Sequence, residues 1–171
     1  MRDQVQKLIA APYTRLGLSC LALIAVVIGL DQASKIWALH ALRQAPNGSV
    51  TILPILSFTL VGNKGMSFGL LSGTVFGRWF LTLFQLVAAG GLGYCMTKMR
   101  SPLLAVSLGM IAGGAVGNAI DRVRFGEVVD FIDLSGTHVF PWVFNIADSA
   151  ISIGVVLLAW HFLRSESGKT G

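Results

Sequence analysis

Two aspartates stand in unusually apolar surroundings. Asp130 lies in "VVDF" (Val128 to Phe131), and Asp148 lies eighteen residues later in "FNIADSAI" (Phe144 to Ile151), at the head of a run apolar enough to enter lipid. Two carboxylates that converge where water is scarce cannot both ionise readily, and sharing one proton makes one an acid and the other a base at the same pH. A water held between them can attack a peptide carbonyl while the protonated partner donates to the carbonyl oxygen. That is the chemistry of an aspartic protease. Taken separately, Asp148 could be a carboxylate stabilised by a helix N-terminus, and Asp130 could pair with Arg122 or Arg124. Against two separate explanations stands their expected position at one membrane face, among apolar neighbours.

The remaining polar residues divide into supports and bystanders. Asp31 and Lys35 of "DQASK" are four apart on one helical face in the acid-before-base order, so an intrahelical ion pair is preferred to direct catalysis. Ionisable groups at membrane depth cost about 2.5 to 3.5 kcal/mol each near a helix centre, and such residues face a bundle interior. Asn63 in "VGNKGMSFG" sits in a turn context, and Asn145 is placed to cap the helix that carries Asp148. Both amides gain interest beside a carboxylate pair, because uncharged donors can hold a peptide backbone without adding charge. Metal ligation lacks support, since His40, His138 and His161 show no ligand spacing. A serine nucleophile at Ser149 or Ser152 would need a base that is not visible. There is no phosphate-binding glycine loop.

The elements that must position these residues follow from composition. Of 171 residues, 54% are apolar and 12% charged, and the mean hydropathy is +0.72; soluble domains carry about a quarter charged residues. Four stretches are long and apolar enough to span a bilayer: about 16–39, 75–97, 102–120 and 146–163. The expected fold is an all-α membrane protein of four transmembrane helices, forming a single membrane domain over 1–171. Its extracytoplasmic segments are 40–74 and 121–145. The first of these contains "VTILPILSFTLVGN", whose β-branched and aromatic residues predict a small strand or hairpin. The Gly-rich "FGLLSGTVFGRWF" predicts a short interfacial helix. Trp37, Trp79 and Trp142 fall near the outer boundary, as an aromatic belt requires. "GLSC" at Gly17 to Cys20 precedes the apolar run, so the first span reads as uncleaved, and Cys20 and Cys95 as free thiols. In the third span Gly109, Gly113 and Gly117 form a row for close helix packing. That row continues to Asp121, and the adjacent row runs Gly114, Asn118, Arg122.

Four spans place both termini on one side. Arg2, Lys7, Arg15, Lys98, Arg100, Arg164 and Lys169 then face Lys35, Arg43, Lys64, Arg78, Arg122 and Arg124. The first set is packed into short tails and one tight turn, and the second is spread among acidic residues, which puts both termini in the cytoplasm. The net charge of +5 reflects that fringe and gives no sign of nucleic-acid binding.

The motifs "DQASK" (Asp31 to Lys35), "NKGMSFG" (Asn63 to Gly69), "GNAIDR" (Gly117 to Arg122), "VVDF" and "FNIADSAI", in that order, resemble the lipoprotein signal peptidases, or signal peptidase II. The resemblance covers nearly the whole chain. It implies an aspartic endopeptidase of the bacterial inner membrane, with its active site near the outer face. Such an enzyme removes the signal peptide from diacylglyceryl-modified prolipoproteins, cutting just before the lipidated cysteine. It implies Asp130 and Asp148 as the catalytic dyad, and Asp31, Lys35, Asn63, Gly65, Asn118, Arg122 and Asn145 as substrate-binding or supporting residues. No cofactor or metal is implied. Implied partners are prolipoprotein substrates, membrane lipids and the inhibitor globomycin. Lys64 and Met66 depart from the small or neutral residues found in many members. The alternative from another class is a small four-span cation-coupled transporter or channel using Asp31, Asp130 and Asp148. It would need a polar pathway inward, and the inner halves of the spans lack acidic residues.

Overall fold

The structure, a computed structural model, describes residues 6, 10–65, 73–137 and 139–167. Its elements in chain order are α1 (Arg15–Leu42), β1 (Ser49–Leu53), β2 (Leu56–Asn63), α2 (Val75–Thr97), α3 (Pro102–Phe125), β3 (Val128–Asp133), β4 (Val143–Phe144) and α4 (Ile146–Ser167). All four helices are long and apolar enough to cross a membrane. Each begins at a side chain that satisfies an otherwise unpaired backbone donor. Thr14 accepts from Gly17 N at 2.9 Å, Thr74 from Gly77 N at 2.9 Å, Ser101 from Leu104 N at 3.5 Å and Asn145 from Asp148 N at 2.9 Å.

Helix α3 is the centre of the bundle: 61% of its apolar window is buried, against 17–22% for the other three. The glycine row explains how the others reach it. A Cβ on Gly113 would lie 2.9 Å from Val27 Cβ, and one on Gly117 would lie 2.5 Å from an Asp31 carboxylate oxygen. Gly114, on the adjacent row, meets the Ala147 carbonyl of α4 in the same way. With no water to drive association inside a bilayer, such close backbone approach is a principal source of helix cohesion. At the end away from the sheet, Cys20, Met96, Ala105 and Leu108 form one buried cluster, and both cysteines are free thiols.

The β structure is larger than expected. The four strands form one antiparallel sheet in the order β1-β2-β3-β4, so both long connections contribute to it and "VVDF" is a strand. Two spans run further than expected at their sheet-side ends, and α4 continues past 163 to Ser167 at its other end. Helix α1 continues through His40 to Leu42, and α3 continues through Asp121 to Phe125, where Gly126 ends it with φ +83°. The physical reason is the same in both: the added turns are covered by protein, as Ala38 and Leu42 pack with Phe131 and Asp121 is fully buried. Trp37 of α1 meets Phe58 of β2 and Phe131 of β3 edge-on, with centroids at 5.2 and 6.1 Å, fastening the sheet to the helix end. Of the stretch expected to form an interfacial helix, 68–72 lie outside the described residues, and its second half, from Val75 to Phe80, is the beginning of α2.

Candidate active site

Strand register places Asp130. β2 and β3 pair with Asn63 opposite Val128 and Val61 opposite Asp130, so Asn63 and Asp130 are diagonal neighbours on one face of the sheet. Asn63 Nδ2 donates to Asp130 Oδ2 at 2.9 Å. The amide is oriented by Gly65, whose backbone N–H donates to Asn63 Oδ1 at 2.9 Å. Gly65 has φ +81°, and a Cβ there would come 2.6 Å from Leu81 Cδ1, so this turn calls for glycine.

Asn145 joins the two aspartates. Its Nδ2 donates to Asp130 Oδ1 at 2.6 Å, and its Oδ1 accepts from Asp148 N at 2.9 Å. Asp148 Oδ2 in turn accepts from Asn145 N at 3.4 Å, a reciprocal capping box in which the acid at the third helical position is Asp148 itself. Asn118 of α3 donates to Asp148 Oδ1 at 2.7 Å. Asp148 therefore does carry the helix-terminus role that its sequence position suggests, and its place beside the Asn145 amide brings it to Asp130.

The environments of the two carboxylates differ. Asp130 is 1% exposed, whereas Asp148 is half-buried. Burial pushes the Asp130 carboxyl up to about 6; the hydrogen bond from Asn63 opposes this and the nearby Asp148 charge adds to it. Asp133, at the exposed end of the same strand, is held below the usual carboxylate range by hydrogen bonds from Ser135, through side chain and backbone. Two clefts open onto the pair. One, of about 400 Å³, is lined by Asn63, Asp130 and Trp142 among others. The other, of about 580 Å³, is lined by Asn63 and Asp148 with apolar Leu134, Phe140, Phe144 and Ile153.

Behind the carboxylates lies a buried ionic cluster. Lys35 Nζ contacts Asp31 Oδ2 at 2.9 Å and Asp121 Oδ2 at 2.8 Å, and donates to Asn118 Oδ1 at 3.1 Å. The three ammonium protons thus have three acceptors. The expected Asp31–Lys35 pair is present, with a second carboxylate that the sequence reading left in the packing row. Asp31 Oδ1 also accepts from Ala147 N at 2.9 Å, tying α1 to the first turn of α4. Asp121 Oδ2 accepts from Val129 N at 3.1 Å, tying α3 to β3. Gln32 bridges the two acids, donating to Asp31 Oδ2 at 3.2 Å and Asp121 Oδ1 at 3.0 Å. Asp121 and Gln32 were missed as site residues. The available signal was Asp121 completing the Gly109–Gly113–Gly117 row and Gln32 lying inside "DQASK".

Arg122 does not pair with Asp130. Among the described residues both ion pairs belong to Lys35, and Arg122 Nη1 donates to Gln85 Oε1 at 2.8 Å. Its charge still acts on Asp148 and Asp130 across the site. Arg124 reaches Gln32 Oε1 at 3.3 Å instead. Ser149 Oγ donates to the Asn145 carbonyl at 2.9 Å, a bond within its own helix. Lys64 is exposed and lines a separate cleft with Arg78 and Glu127, and Met66 lies outside the described residues.

Two solved bacterial membrane enzymes share this overall frame. One is 29% identical with a TM-score of 0.73, covering 93% of this chain and 95% of that one. The other is 31% identical with a TM-score of 0.70, covering 90% and 96%. These define the class as a multi-pass bacterial membrane enzyme. The family model described as "Signal peptidase (SPase) II" matches residues 23–164. A lipoprotein signal peptidase of Caulobacter vibrioides is 50% identical over 157 residues, 91% of this chain and 93% of its relative. One of Methylorubrum extorquens is 44% identical over 148 residues, 84% of each. The chain belongs to the signal peptidase II family and is a peptidase. Membership of a peptidase family leaves the transporter alternative without support.

Proposed function

We propose that this protein is an aspartic endopeptidase that cuts the signal peptide from diacylglyceryl-modified prolipoproteins just before the lipidated cysteine, with Asp130 and Asp148 as its dyad. The observation that carries the reading is the single amide of Asn145, which donates to Asp130 and accepts from the backbone of Asp148. It holds two carboxylates of unequal burial in one site. The names of the relatives supply the substrate class.

Burial favours the neutral acid at Asp130, so Asp130 is the resting proton carrier and Asp148, more exposed and held by Asn118, is the ionised partner. Asp148 takes a proton from a water lying between the carboxylates. The resulting hydroxide-like oxygen attacks the scissile carbonyl, and Asp130 donates its proton to the carbonyl oxygen. Collapse of the tetrahedral diol breaks the C–N bond, the proton on Asp148 passes to the leaving amine, and a hydroxyl proton of the diol returns to Asp130, which restores the dyad. The apparent pKa values belong to the pair.

Asn63 and the Gly65 turn orient Asp130, while Asn118 and the Lys35 cluster hold Asp148 and the base of α4. The larger cleft, with its apolar wall of Phe140, Phe144 and Ile153 beside Asp148, suits a signal segment and its lipid arriving from the bilayer. Both termini lie in the cytoplasm in this reading and the site faces the outer surface, where translocated substrates wait. Globomycin would occupy the same clefts. The test is cleavage of a purified diacylated prolipoprotein by the detergent-solubilised protein. Cleavage of the unlipidated precursor at an equal rate would remove the diacylglyceryl requirement.

A further inference from the structure

A further cleft, of about 370 Å³, lies between the sheet-side ends of α1 and α3 and shares no lining residue with the two clefts at the dyad. Ile36, His40 and Arg43 recur at steps of four and three, which places them on one face of α1. Arg124 and Phe125, from the last turn of α3, form the facing wall. The lining runs from apolar to cationic along α1. From exposed Ile36 to exposed Arg43 the helix rises roughly 10 Å, about the depth over which a phospholipid passes from acyl chain to phosphate. No carboxylate lines the cleft. Among the described residues the ion pairs are Lys35's, so neither arginine is neutralised by one.

Arg124 is also held in place. It donates to Gln32 Oε1 at 3.3 Å and its guanidinium lies 4.9 Å from the Phe125 ring centroid. Gln32 is fixed by Asp121 Oδ1 at 3.0 Å and the Gly117 carbonyl at 3.2 Å. A pre-positioned guanidinium fork matches two phosphate oxygens at once, and Arg43 supplies a second cation across the cleft. A choline headgroup would bring its own cation against these two.

We propose that this cleft binds an anionic phospholipid, with Arg43 and Arg124 on the headgroup phosphate and Ile36, Leu39 and Phe125 along the start of the acyl chains. Phosphatidylglycerol is the probe. The full chain in nanodiscs is titrated with phosphatidylglycerol against a phosphatidylcholine background, and retained lipid is read by native mass spectrometry. Each basic side chain at a membrane surface contributes about fivefold, so wild type should prefer phosphatidylglycerol by roughly 30-fold. Arg43→Gln with Arg124→Gln should reduce that preference to a few-fold. Arg15→Gln with Arg164→Gln, the same charge change at the opposite end of the helices, should leave it intact. Equal loss in both doubles, or no loss in the first, overturns the site. A photoreactive phosphatidylglycerol on the wild-type protein should label the peptide over 36–44, a readout independent of whether the variants fold, and labelling elsewhere alone overturns it. Soluble glycerophosphoglycerol should not displace the lipid; if it does, the cleft holds a free anion and the lipid assignment is wrong.

Discussion

Replacing Asp130 by Asn should change how stability depends on pH, and the structure gives both sign and size. Burial raises the Asp130 carboxyl from 3.8 to about 6 in the folded protein. The fold therefore holds this proton more tightly than the unfolded chain does. Between pH 3.8 and about 6 folding takes up a proton, and stability falls as the pH rises through that window. The shift corresponds to about 3 kcal/mol of stability, present at pH 4 and gone by pH 7, with no discount for screening because Asp130 is 1% exposed. For a chain of this size that is roughly 6 to 12 °C in melting temperature. The amide in the variant cannot titrate. Its single oxygen accepts from only one of the Asn63 and Asn145 amides, which costs about 1 to 3 kcal/mol at every pH. The measurement is thermal unfolding in detergent from pH 4 to 7.5, wild type minus variant. Asp133, whose lowered value acts in the opposite sense, is common to both proteins and cancels. The wild type should lose stability relative to the variant as the pH rises, the change centred between pH 4 and 6. Parallel curves would refute the buried-acid assignment, and so would a difference of the opposite sign.

Three further outcomes follow from the same geometry. Lys35→Ala leaves Asp31 and Asp121, both 0% exposed, as unpaired buried charges, and should cost about 3 to 5 kcal/mol; adding Asp121→Asn should recover part of it in a denaturation series. Gly117→Ala places a methyl 2.5 Å from an Asp31 oxygen and should destabilise by about 1 to 3 kcal/mol while lowering turnover, since Asp31 also holds the Ala147 N–H; unchanged melting would show that the helices can separate there. Asn145→Ala removes the α4 cap, worth about 0.5 to 2 kcal/mol, together with the donor that stabilises ionised Asp130. Any residual activity should show its alkaline limb, set by loss of the Asp130 proton, moved to higher pH, and a limb moved lower would contradict the assignment.

The spans, the glycine row and the Asp31–Lys35 pair were legible because each is a local pattern: a hydropathy run, a step of four, an i to i+4 spacing. Asn63 and Asn145 read locally as a turn and a cap residue and Asn118 as one member of a helix row, and only the motif resemblance assigned all three to the site, since nothing local distinguishes a site amide from a turn or cap residue. The helix extensions to Leu42 and Phe125 were hidden because they rest on burial by a sheet whose size was not evident. Strand β3 was hidden for a related reason: "VVDF" has no alternation to read, being buried on both faces. Asp121 looked like the polar end of a packing row, and its role depends on Lys35 reaching it from another helix, a contact that sequence spacing does not encode.

The central claim is that Asp130 and Asp148 act as one catalytic unit. Its most direct test is turnover of a diacylated prolipoprotein by wild type, Asp130→Asn, Asp148→Asn and the double variant, each shown to be folded and each assayed with and without EDTA. Either single variant should lose essentially all cleavage, and the double should be no worse, because residues that act together are not additive. EDTA should leave the wild-type rate unchanged. Near wild-type turnover in either single variant, or loss of activity on chelation, would contradict the two-aspartate mechanism.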